Sequence, residues 1–126
     1  MKSLNAPQPA PTAGEGPEVW PLIFSAPGLV LPDWLRADMR ERHELGVKKY
    51  GTGLRVWNGR DAVVDAYQEA LDLVVYSRQG RERVGSLKLK DPLFNAALAL
   101  DLTIHFGLQT AIRLGELARA GKVPVR

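Results

Sequence analysis

From Asp61 to Tyr76 the chain keeps a single helical period, and this stretch constrains the fold more than any other. At about 100° per residue, Asp61, Asp65, Glu69, Asp72 and Tyr76 fall on one face. Val63, Val64, Tyr67, Ala70, Leu71, Val74 and Val75 fall on the opposite face. The pattern predicts an amphipathic helix with an unusually acidic polar side. Surface helices ordinarily mix lysines into that side. Here the first basic residue after Arg60 is Arg78. An acidic stripe without internal counter-charge is poorly explained by solvation alone.

A second acidic pair lies upstream. Glu41 and Glu44 are three apart, as are Glu69 and Asp72. Residues at that spacing share a helix face. Each half therefore presents two carboxylates, and a helical hairpin could bring the pairs together. Four carboxylates facing one another repel. A hard divalent cation with oxygen ligands removes that repulsion, and such a cation points to phosphate chemistry.

Taken in order, residues 1–17 are rich in Pro, Ala and Gly and read as a flexible tail. Residues 18–126 read as one all-α domain. Val19 to Pro32 is apolar, but Pro21, Pro27, Pro32 and Gly28 oppose a long helix, so an extended strap is expected. Within it Trp20 or Phe24 either helps close a nucleotide-base pocket or only anchors the strap. A first helix is expected from an N-cap at Asp33 to about Lys49, with Gly51 at its end. Glu41, Glu44 and Lys48 share one of its faces. Lys48 is either an exposed ion-pair partner of Glu44 or a ligand for a phosphate oxygen. His43 projects elsewhere and reads as a surface histidine. Tyr50 to Gly59 reads as a loop. Asn58 is a candidate cap for the second helix, with Asp61 three residues on.

Gly80 to Lys90 is basic and reads as a loop, though the second helix could run past Gly80. Asp91-Pro92 reads as the start of a third helix, with Asp91 as N-cap and Pro92 at its first position. Leu93 to Phe106 is apolar on nearly all sides, which suits a helix buried on two faces, the second being a subunit interface. Asp101, His105, Gln109 and Arg113 form a polar seam at spacing four. Gly107 is a candidate kink or break before a short last helix ending ahead of Gly121.

The bulk numbers narrow the chemistry. A chain of 126 residues suits one domain that gains from oligomerising. There is no cysteine and there are two histidines, which disfavours a zinc hydrolase. No P-loop pattern occurs, so a Walker-type ATPase is disfavoured. A ferritin-like di-iron site needs Glu-x-x-His pairs, which neither half has. No apolar run of signal-peptide or membrane-spanning type stands out, so a cytoplasmic protein is expected. The net charge of +3 suits an anionic ligand. The basic residues are spread along the chain, and nucleic acid is not the favoured partner. The rival reading is a non-catalytic basic helical module that binds nucleic acid or a protein partner, supported by the sequence pI of 9.4 and by Arg78, Arg81, Arg83, Lys88 and Lys90.

Glu41 to Glu44 with Glu69 to Asp72 resembles the ExxE…ExxD signature of the all-α nucleoside triphosphate pyrophosphohydrolases of the MazG-like family. The fuller text HELGVKKYGTGL…WNGRDAVVDAYQEALDLVVYSRQ is similar to small phage-borne members. The resemblance covers residues 33–83. It implies a MazG-like helical bundle completed by oligomerisation, as a homodimer or homotetramer. It implies Mg2+ or Mn2+ held by Glu41, Glu44, Glu69 and Asp72, with a glutamate of the first pair, Glu41 or Glu44, activating water. It implies cleavage of (d)NTP between the α and β phosphates, in the host cytoplasm if the chain is phage-encoded. Some phage members act on one nucleotide, and dGTP is carried as a candidate substrate. Lys48 and Asp65 are added from helix geometry, and Trp20 from the strap, as substrate-binding candidates. MazG itself has a second glutamate beside the first of the motif. Here that neighbour is Arg40.

Overall fold

The computed structural model describes residues 3–28, 30–85, 88 and 90–125. It is mostly helical, with the order β1 (Glu15–Glu18), α1 (Val19–Phe24), α2 (Asp33–Tyr50), β2 (Arg55–Trp57), α3 (Ala62–Val84) and α4 (Phe94–Ala120). The chain divides into two compact units, one built on residues 9–60 and the other on residues 61–124 with the described N-terminal residues up to Gln8.

In the first unit, β1 and β2 pair antiparallel as a two-stranded ribbon. Glu15 lies opposite Trp57 and Glu18 opposite Arg55, with a shift of register between them. Arg55 donates from Nη1 to the Gly16 carbonyl at 2.8 Å across the irregular step. The ribbon was not expected, and its β1 half occupies residues read as flexible tail. Further tethers hold that region. Thr12 N donates to Asn58 O, and Arg60 Nη1 to Pro9 O. In the second unit, Gln8 donates to Asp61 O and Gln68 to the Leu4 and Ala6 carbonyls. Proline loses its N–H but keeps a carbonyl acceptor, so a proline-rich segment can still be tied down through its oxygens.

The strap is not fully extended, because Val19–Phe24 forms helix α1. Pro21 is its third residue, and the first four N–H groups of a helix have no intrahelical partner. Proline there removes no bond. Helix α2 starts as expected but without the expected cap. Asp33 is its first helical residue, Pro32 is the N-cap, and no side chain closes the turn. The Pro32 carbonyl instead accepts from Arg36 N at 3.1 Å. At the other end Gly51 adopts φ 77°, a left-handed cap that suits glycine.

Helix α3 is capped by Asp61 rather than by Asn58. The Asp61 carboxylate accepts from Val63 N and Val64 N at 3.0 and 3.2 Å. Asn58 Oδ1 accepts from Arg60 N instead, closing a turn one step earlier. The helix passes through Gly80 and ends at Gly85. Helix α4 starts later than expected. Asp91 folds a local turn, its carboxylate accepting from Leu93 N and its carbonyl from Phe94 N.

Gly107 neither kinks nor ends α4, which is continuous to Ala120. The residue is a point of close approach. A methyl on it would stand 2.7 Å from Val74 Cγ2 and 3.8 Å from Ala70 O. Tyr67 lies against Gly115, and Leu100 against Gly80. Contacts that ascend α3 thus descend α4, so the two helices form an antiparallel hairpin. Ala70 and Ser77 on α3, with Ala97, Gly107, Ala111 and Gly115 on α4, are the buried residues of its seam.

Candidate metal and nucleotide site

The first acidic pair is carried by an uninterrupted helix. Glu41, Glu44 and Lys48 are all exposed on α2. The Glu44–Lys48 ion pair weighed as an alternative does not form among the described residues. The second pair, Glu69 and Asp72, is exposed on α3. Asp65 is half-buried in the first turn of that helix. Among the described residues, none of Glu41, Glu44, Glu69 and Asp72 has an ion pair or a side-chain hydrogen bond. The pairs belong to different compact units. Within neither unit do three His, Asp or Glu side chains among the described residues gather about one possible cation position.

Trp20 is half-buried in α1. Its ring stacks on Phe24, with centroids 6.0 Å apart and planes at 29°. It also lies 6.4 Å from the His43 ring at 55°. Arg40 places its guanidinium 5.7 Å from the centre of the Phe24 ring. The strap is thus anchored to α2 through aromatic and cation–π contacts. His43 is not the surface histidine expected. It is half-buried, and its Nδ1 is sealed without a hydrogen-bond partner among the described residues. Helical spacing points His43 away from the carboxylate face, so no local signal in the sequence marked it.

The basic residues behind the rival reading are partly committed within the hairpin. Arg78 pairs with Glu82 one turn on. Arg81 donates from Nε to both Asp101 oxygens at 3.1 Å and from Nη1 to the Gly85 carbonyl at 2.6 Å. Asp101, expected as part of a polar seam, ties α4 to the end of α3. No helix among the described residues is long and apolar enough to cross a membrane.

Comparison with protein-family models, curated proteins and solved structures returned no match.

Proposed function

We propose that the chain is a metal-dependent nucleoside triphosphate pyrophosphohydrolase, cleaving (d)NTP between the α and β phosphates to give (d)NMP and pyrophosphate. One observation carries this reading. All four carboxylates of the two acidic pairs stand exposed on unbroken helices, without an ion pair or side-chain hydrogen bond among the described residues. Acids committed to structure would be capped or ion-paired, as Asp61 and Asp101 are.

The donor set fits a hard cation. Every candidate ligand is a carboxylate, the chemistry Mg2+ and Mn2+ prefer. Glu41, Glu44, Glu69 and Asp72 would hold it. When bound, such an ion neutralises phosphate charge and lowers the pKa of water. Glu41 or Glu44 accepts the proton of the attacking water. Lys48 supplies a cation for a phosphate oxygen, Asp65 a polar contact to the substrate, and Trp20 an aromatic face for the base.

Assembly belongs to the same proposal. The side of α4 away from α3 carries Leu98, Leu102 and Phe106 in one row and Leu108 and Ile112 in another, all exposed. A second copy of the chain buries these rows, giving a homodimer or homotetramer that completes a MazG-like bundle. The reaction would run in the cytoplasm, that of the host if the chain is phage-encoded.

The test is incubation with each dNTP and NTP plus Mg2+ or Mn2+, with products separated by ion-exchange chromatography. Monophosphate and pyrophosphate are expected, and a dGTP preference would appear as the highest kcat/KM. Diphosphate plus phosphate, or no turnover with either metal, overturns the reading.

A further inference from the structure

Outside the acidic faces, one cluster in the first unit holds polar groups left unsatisfied among the described residues. His43 Nδ1 is sealed from solvent and has no hydrogen-bond partner among them. A buried nitrogen in that state forfeits the bond it would make to water. At another corner of the ring, Cε1 faces Gly53. A methyl on Gly53 would stand 3.0 Å from His43 Cε1 and 2.9 Å from the Glu18 carboxyl carbon. The carboxylate and the imidazole edge therefore both border the space over the buried Gly53. Glu18 is half-buried and has no ion pair or side-chain hydrogen bond among the described residues. The ring atom bordering this space is thus a carbon, while the ring nitrogen bonded to it is sealed.

Each group lacks what the other can supply. A half-turn of the imidazole about Cβ–Cγ exchanges Cε1 with Nε2 and Nδ1 with Cδ2. Carbon then fills the sealed position, and an Nε2–H faces the Glu18 carboxylate. We propose that His43 and Glu18 form an imidazole–carboxylate hydrogen bond across Gly53, a latch that fastens the β1–α1 strap to helix α2. In the closed state Nε2–H donates to Glu18. In the open state the ring stands as described above.

Two neighbouring features support the latch. Val19 N donates to Leu54 O at 2.8 Å, so the backbone on either side of the cradle is already joined. Trp20, the second residue of α1, sits beside His43 with ring centroids 6.4 Å apart. Gly53 is needed because a side chain there would wedge the two groups apart.

With only two histidines in the chain, the test is direct. The 15N-labelled full chain is studied by long-range 1H–15N correlation, and His105→Gln assigns the remaining signals to His43. The latch predicts the Nε2–H tautomer of His43. It also predicts an imidazole N–H that exchanges with water about ten-fold or more slowly than that of exposed His105, the range expected for a hydrogen bond to a charged group. Glu18→Ala and Gly53→Ala should each abolish the slow exchange. Glu18→Gln, which keeps shape and a weaker acceptor, should give an intermediate rate even if the alanine variants fail to fold. An Nδ1–H tautomer, or wild-type exchange as fast as that of His105, overturns the latch. So does a rate in Glu18→Gln equal to that of the wild type.

Discussion

Asn58 and Asp61 sit three apart at the start of α3, and each has a side chain able to cap a helix. Backbone geometry decides between them. Asp61 has φ −84° and ψ 102°, the extended conformation of an N-cap, and its carboxylate takes two of the orphan N–H groups. Asn58 spends its oxygen on Arg60 N. Asp61→Ala should therefore destabilise the fold by about 1 kcal/mol, read as a lower midpoint in thermal circular dichroism. Asn58→Ala should have less effect, since it frees only one turn hydrogen bond. Glu69 is the contrasting acid, exposed and without a structural partner. Glu69→Gln keeps shape and removes charge, so stability should hold while turnover of (d)NTP falls by about a hundred-fold or more. Retained activity would take Glu69 out of the site.

At the scale of elements, glycine shows how far local rules reach. Gly46 lies inside α2 with open space where a Cβ would go. Gly107 lies inside α4 with Val74 Cγ2 in that space. Both should gain about 0.5–1 kcal/mol of helix stability on becoming alanine. At Gly46 that gain stands alone. At Gly107 the methyl meets a stiff β-branched side chain, and overpacking costs about 1–3 kcal/mol. Gly46→Ala should raise the urea midpoint and Gly107→Ala should lower it. The same contrast explains what the sequence could reveal. Helices α2 and α3 were legible because period and flanking signals agree over many residues. The continuity of α4 was not, because a glycine that breaks a helix and one that admits a neighbouring helix look alike before the partner is known. The β1–β2 ribbon was hidden for a different reason. Its strands have four and three residues, contain Gly16 and Pro17, and take their stability from each other. Among candidate site residues, the spacing of Glu41 with Glu44 and of Glu69 with Asp72 predicts a shared helix face for each pair, and each pair lies exposed on one helix. The surroundings of His43 include Trp20, Glu18 and Gly53, all outside its own helix.

For the whole molecule, the decisive quantity is how little apolar side chain is out of water. The chain is 45% hydrophobic, yet among the described residues the buried apolar side chains are Ala70, Ala97 and Ala111. No large side chain among the described residues is fully buried. Alanine offers one methyl to the hydrophobic effect, where a buried Leu or Phe contributes about 1.5–3 kcal/mol. Several larger side chains of α4 remain in solvent, with Phe106 at 63% exposure and Leu98 and Leu102 near half. Rows of such residues at helical spacing mark an interaction surface, and a second copy can supply the missing contacts while His105 and Gln109 form a polar seam between the rows. Folding and assembly are then linked, and the melting temperature should rise with protein concentration. Phe106→Asp places a charge in the row. It should shift the sedimenting species to monomer and lower the melting temperature, while Tyr76→Asp, on the exposed acidic face of α3, should leave the assembly intact. A wild-type chain that sediments as a monomer at every concentration, with a concentration-independent melting temperature, would remove self-assembly from the proposal and leave these rows to a different partner.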